Sequence, residues 1–251
     1  MTTWPDSMHA LAERVSRVPA DRTVAEVVDR LTSIEEQLDG FFSPLGPGPD
    51  ARRARRPLPD GVACFNGMYL RVTEAVRDAV PSFENPAFIQ RLDVLFAEFY
   101  FEAYAAAAAR AWISKAWAPL FARRAENRLA LQFAVTGMNA HINNDLAHAL
   151  ILTWHEFGFD PAMRRDYEKI NGILQAVEKD IKVPLSDALI AEVDTAFGTT
   201  DDFLALWSIR HARDQAWERA RIMQRIPGDE LDGLFDRIVG FAGNLLLGPA
   251  V

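Results

Sequence analysis

Between Ala122 and Phe157 the chain has no proline, and Gly137 is its only glycine. A stretch of that length without proline, rich in Ala and Leu, predicts a long helix that ends where Gly158 and Pro161 follow in GFDP. This is the expected central helix. Its neighbours read the same way. Val24, Val27, Val28, Leu31 and Ile34 recur at three- and four-residue steps, with Thr23 as N-cap and Glu26 completing a capping box. A helix is predicted from Gly61 to Val80, with Pro81 ending it, and another from Pro86 through Ile113, where Pro86 occupies the first turn. Further helices are predicted over 160–181, 186–197, 200–225 and 228–247, separated by FGFDP, VPLSD, FGTTDD and IPGDE. Neither strand alternation nor an Asn-Gly hairpin signal occurs, so the expected fold is all-α, a single-domain multi-helix bundle.

Pro and Gly cluster in SPLGPGPDARRARRPLPDG, from Ser43 to Gly61, where Arg52, Arg53, Arg55 and Arg56 also repel one another. The chain therefore divides into an N-terminal helical arm (1–42), a Pro/Arg-rich loop (43–60) and the bundle (61–251). A solvated loop accounts for the arginines better than nucleic-acid binding does. With 27 basic and 35 acidic residues, the net charge of −8 disfavours a phosphate backbone as partner. The single Cys64 excludes an internal disulfide framework and a Cys-rich zinc module. No apolar run is long enough for a membrane span, and the N-terminus lacks signal-peptide features, so a cytoplasmic location is expected.

The central helix carries the most unusual polar content, GMNAHINNDLAHAL, from Gly137 to Leu150. At about 100° per residue, His141, Asp145, His148 and His155 share one stripe, while Asn139 and Asn143 fall opposite it among apolar neighbours. Two asparagines in such a place need partners, either in a structural hydrogen-bond network or in a wet pocket. His141 and Asp145, four residues apart, suit an acid–base dyad in which the carboxylate orients the imidazole. The same pair with His148 supplies part of a zinc or iron site, for which Glu98 and Glu102, and more weakly Asp93, are the available partners. No metal or other cofactor is certain from these residues alone.

A second polar constellation lies in LALWSIRHARDQAWERA, where Trp207, Arg210, Asp214 and Trp217 face one direction and Arg213 adds another guanidinium. Exposed, Arg210 and Asp214 form a weak surface pair. Buried, the group becomes a substrate clamp, because a guanidinium in a core requires partners.

The segments GVACFNGMYLRVTEAV, RLDVLFAEFYFEA, GMNAHINNDLAHAL and LWSIRHARDQAW resemble an actinobacterial family of domains of unknown function, number 5995. The resemblance covers most of the chain after Gly61 and groups these four segments, and it implies no particular reaction. HINNDLAHAL is also similar to the His-x-x-x-Asp helix of the helical zinc phospholipase C and nuclease superfamily. That superfamily needs several further His and Asp ligands, whereas this chain has five histidines in all.

Three functions follow from these residues. The favoured one is an enzyme acting on a small carbonyl-containing molecule, in which His141 is the base and Asp145 orients it. Asn139, Asn143, Arg210, Arg213, Asp214, Trp207 and Trp217 would then bind substrate. The second is a metal-dependent hydrolase or oxygenase holding zinc or iron on His141, Asp145, His148, Glu98 and Glu102. The third is a non-catalytic helical ligand-binding protein, consistent with the lack of any recognised nucleophile or nucleotide motif. The expected partner in the enzymatic readings is a small molecule, with neither nucleic acid nor membrane.

Overall fold

The computed structural model of the chain describes residues 8–38, 60–177, 209–225 and 229–248. Every regular element among them is helical. In chain order these are α1 (Met8–Val15), α2 (Val24–Gln37), α3 (Gly61–Ala79), α4 (Pro86–Ala108), α5 (Ala118–Arg123) and α6 (Ala130–Ala140). A π-helical turn (His141–Asp145) and α7 (Leu146–Phe157) continue α6. Then come α8 over 163–177, α9 (Ile209–Met223) and α10 (Asp229–Leu246). The expected all-α bundle is the fold observed. The predicted helix 186–197, most of the Pro/Arg-rich loop 43–60 and Trp207 lie outside the described residues.

Local chemistry sets the ends of these helices. Thr23 caps α2 through the expected box: its Oγ1 accepts from Glu26 N–H, and Glu26 Oε2 accepts from Thr23 N–H at 2.8 Å. Asp60 caps α3 by accepting from Val62 and Ala63 N–H, and Asn85 caps α4 ahead of Pro86. Two predicted helices are shorter than expected. The segment expected to run through Ile113 stops at Ala108, because Arg110 adopts φ +53°. Ala111 N–H then reaches Ala106 O and Arg110 N–H reaches Ala107 O, which closes a Schellman motif with Arg where Gly is usual. The helix expected over 122–157 is interrupted before Ala130. Arg123 and Arg128 both pair with Glu126, and that charged turn separates α5 from α6.

The apolar residues form two cores. One is built by Leu95, Phe99, Leu146, Leu150, Trp154 and Tyr167 with Trp217, which joins α4, α7, α8 and α9. The other is built by Leu31, Phe65, Tyr100, Trp117, Phe133 and Val239, which joins α2 to α6 and α10. α4 is buried nearly all round and feeds both, and the π turn sits at the seam, with Ala140 in the second core and Ile142 in the first. The segment expected to be an N-terminal arm is part of the bundle. Leu11 and Val15 of α1 enter the first core, Val27, Leu31 and Ile34 of α2 the second, and Arg91 clamps the connecting carbonyls of Val18 and Pro19. No helix among the described residues is long and apolar enough to cross a membrane.

Candidate functional site

The polar residues expected on the central helix lie where it changes pitch. Leu146 N–H bonds to the carbonyl of His141, an i to i−5 bond that widens one turn and inserts a residue into the helical register. Such turns weaken regular hydrogen bonding and recur at functional positions. Here the wider turn brings His141, Ile142, Asn144 and Asp145 all inside. The stripe read at 100° per residue is therefore no solvent face: His141, Asp145 and His148 are buried, and only His155 is exposed.

Asp145 is the fixed point. It is 0% exposed, its Oδ1 accepts from Asn144 Nδ2 at 2.9 Å, and its Oδ2 accepts from Trp117 Nε1 at 2.9 Å. Both oxygens thus act as acceptors, and His141 Nδ1 lies 3.2 Å from Oδ2. A carboxylate so occupied places the imidazole proton on Nδ1 and leaves the Nε2 lone pair for another partner. Burial lowers the His141 pKa, against the hydrogen bond and charge of Asp145, so the ring is neutral at neutral pH.

Rings enclose this imidazole. Phe96 is stacked on it, with centroids 3.5 Å apart and planes 6° from parallel, and Tyr69 meets it edge-on at 4.7 Å. Phe65, Trp117 and Tyr100 complete the box at 5.9, 5.8 and 6.4 Å. Phe96 alone of the five is partly exposed. Three polar atoms are buried around this box with no hydrogen-bond partner among the described residues: His141 Nε2, Tyr69 Oη and Asp93 Oδ2. Each such atom costs about 1–3 kcal/mol. Asp93 lies one helical turn before Phe96 on α4, and burial pushes its carboxyl up to about 7, against the pull of Arg213. Burial, followed by the Asp93 charge, holds the Tyr69 phenol well above its ordinary value. The orphaned imidazole nitrogen and the phenol thus share one aromatic box, and Asp93 acts on the phenol through its charge.

Several residues expected in the site have other roles. Asn139 donates to Val239 O of α10 at 2.9 Å, which ties α10 to the central helix, and accepts from Asn143 Nδ2 of its own helix at 3.1 Å, so both its ends are engaged. Among the described residues, neither asparagine's side chain is hydrogen-bonded to His141 or Asp145. Arg210 is exposed on α9. Arg213 is buried, but it donates to Tyr167 O and Asn171 Oδ1 and covers the Tyr167 ring, and Asp214 pairs with Arg164. Trp217 packs on Trp154 and Tyr167 in the first core. Of the expected substrate clamp, Asp214 and Trp217 are thus engaged by α7 and α8, with partners that the helix spacing alone did not reveal, while Arg210 stays on the outside.

The expected metal ligands are likewise dispersed. Glu98 pairs with Arg30 and Glu102 with Arg14, on the faces of α4 that meet α2 and α1, and His148 faces Asp232 of α10. Among the described residues, no group of three or more His, Cys, Asp or Glu side chains is placed to hold a metal ion.

The five rings of the box, Trp117, Tyr69, Phe96, Phe65 and Tyr100, and the amide of Asn144 were not assigned to the site from sequence. A legible signal existed for Trp117, since a buried indole N–H needs an acceptor and Asp145 was the carboxylate already singled out. Tyr69, Phe96 and Phe65 sit inside the two segments grouped with the central helix by resemblance, and no spacing rule separates them from ordinary core rings.

Known proteins add one finding to this geometry. A model described as a family of unknown function (DUF5995) matches residues 24–249, and the chain belongs to that family. No curated protein and no solved structure matches it.

Proposed function

We propose that this member of a family without an assigned function is an enzyme that transforms a small carbonyl-containing molecule by general acid–base chemistry, with His141 as the base. The observation that carries the reading is the Trp117–Asp145–His141 chain, which ends in a buried Nε2 that has no partner among the described residues. In this role Nε2 takes a proton from a carbon or hydroxyl next to the carbonyl. Asp145 keeps the Nδ1–H proton in place and stabilises the imidazolium as it forms, while Trp117 and Asn144 hold Asp145 still. Asp93, balanced near neutrality, is the group suited to return a proton, and the Tyr69 hydroxyl is a donor for the substrate oxygen. Phe96, the partly exposed ring, marks the side by which a small flat molecule would reach the imidazole.

Proton abstraction can be tested without knowing the product. Solvent deuterium incorporation into a panel of ketones, aldehydes and keto acids is followed by proton NMR with the wild-type protein and with His141→Ala. At least one compound should exchange, and the variant should lose about 10²–10⁴-fold of that rate. Equal exchange by the two proteins across the panel would remove His141 from the chemistry. A non-catalytic bundle is the second reading, favoured by Asn139, whose hydrogen bonds are spent on packing. Under it, His141→Phe leaves every exchange rate unchanged and holds or raises the melting temperature, since apolar replacements of buried polar groups are often neutral or stabilising.

A further inference from the structure

A second buried polar cluster, unused by the proposed chemistry, lies where α7, α9 and α10 meet. The side chain of Arg219 on α9 is 8% exposed. Its Nη1 donates to the carbonyl of Asn143 in the π turn at 2.7 Å, and its Cζ lies 4.2 Å from the centroid of Phe235. Its other two donors, Nε and Nη2, form one edge of the guanidinium. Both are buried and have no hydrogen-bond partner among the described residues, and the same holds for His148 Nε2. Asp232 Oδ1 stands between them, 3.6 Å from Arg219 Nη2 and 3.8 Å from His148 Nε2. At those separations charges attract but hydrogen bonds are not made.

Charge decides what such a cluster can accept. Burial lowers the Arg219 pKa, opposed by Asp232 first and more weakly by the charges of Asp145 and Asp236, and Asp232 is the carboxylate beside the guanidinium. His148 is neutral, its pKa pushed down to about 3 by burial and then by the Arg219 charge. A further anion in this place would be repelled by the Asp232 carboxylate at close range in a medium that screens charge poorly. Arg219 and His148 are therefore short of hydrogen bonds, while the guanidinium charge already has a counter-charge in Asp232. It presents two adjacent N–H donors on one side and a carboxylate oxygen with a neutral imidazole on the other.

We propose that this cluster binds a neutral carboxamide-type group, such as a primary amide, lactam or urea. The ligand oxygen accepts from Arg219 Nε and Nη2, and its N–H donates to Asp232 and His148. This pairing satisfies each buried donor edge with a group of the opposite hydrogen-bonding sense and adds no charge. The assignment does not depend on His141 acting as a base.

The test compares acetamide with acetate, two probes of nearly one shape and different charge. Each is titrated into the full-length, nitrogen-15-labelled protein while the Arg219 Nε–H resonance is followed; that resonance is identified by its absence in Arg219→Lys. Acetamide should move the resonance saturably and bind at least about tenfold more tightly than acetate. Arg219→Lys keeps the charge but lacks the paired donors, and acetamide should lose its effect on the surrounding backbone amides. Asp232→Ala removes an acceptor and a negative charge together, so it should weaken acetamide about tenfold and strengthen acetate. If acetamide gives no saturable shift in the wild-type protein, or acetate binds as tightly as acetamide, the assignment is overturned.

Discussion

Replacing Gly137 with Ala should destabilise the protein, although it improves helix propensity. Gly137 lies inside α6, where Ala in place of Gly gains about 1 kcal/mol when nothing interferes. Something does interfere. A Cβ on Gly137 would overlap Cγ and Cδ2 of Phe65 and come within 2.8 Å of its Cβ. These atoms sit at the root of the side chain, so Phe65 cannot rotate its far end away. It is also wedged edge-on against Tyr100 and Trp117, with centroids at 5.0 and 5.2 Å. Overpacking of this kind costs about 1–3 kcal/mol, and the rigid neighbours place this site near the upper limit. Subtracting the propensity gain leaves a net loss of about 2 kcal/mol. Gly172, in α8, supplies the control. It is exposed, with nothing within 4 Å of an added Cβ, so Gly172→Ala should stabilise by about 0.4–1 kcal/mol. Urea unfolding followed by circular dichroism measures both changes. If Gly137→Ala proved as stable as the wild-type protein, the close α3–α6 contact behind the aromatic box would be wrong.

Other perturbations test the electrostatics and the caps. The Asp93 carboxyl is raised to about 7 from an ordinary 3.8, so between these values the native state holds more protons than the unfolded chain and stability falls as pH rises. The penalty is complete above the folded pKa, at no more than about 4 kcal/mol. Asp93→Asn removes it, and the variant's advantage over wild type should grow by about 3 kcal/mol between roughly pH 5 and pH 8. The opposite slope from His148, whose folded pKa is about 3, is present in both proteins and drops out of the comparison. A difference in urea midpoints that did not change with pH would contradict the burial of Asp93 Oδ2. At the end of α4, Arg110→Gly relieves a left-handed residue with a Cβ and should raise stability by about 1 kcal/mol, measured by thermal unfolding; a lowered melting temperature would mean that the Arg110 side chain has a stabilising role of its own.

The sequence by itself determined the class of fold and most of the helix boundaries, because those depend on local rules. Thr23 with Glu26, Pro86 after Asn85 and Gly158 after Phe157 each satisfy or terminate a helix through neighbours a few residues away. It also singled out His141 and Asp145, since an i, i+4 pair meets on any helix of ordinary pitch. What it could not supply was the environment of that pair. Spacing at 100° per residue assumed a regular helix, and the π turn at His141–Asp145 broke the assumption, with Asp145 bonded to Trp117 and every residue of the turn but Asn143 buried. The neighbours of that pair come from distant helices: Trp117 from α5's edge, Tyr69 from α3 and Phe96 from α4. The surroundings of Arg213 and Asp214 on α9 were hidden for the same reason. Arg164, Tyr167 and Asn171 on α8 claimed their polar atoms, and no periodicity within α9 records which helix will pack against it. Local backbone preference is written residue by residue, whereas desolvation and hydrogen-bond satisfaction belong to whatever the tertiary fold brings within a few ångströms.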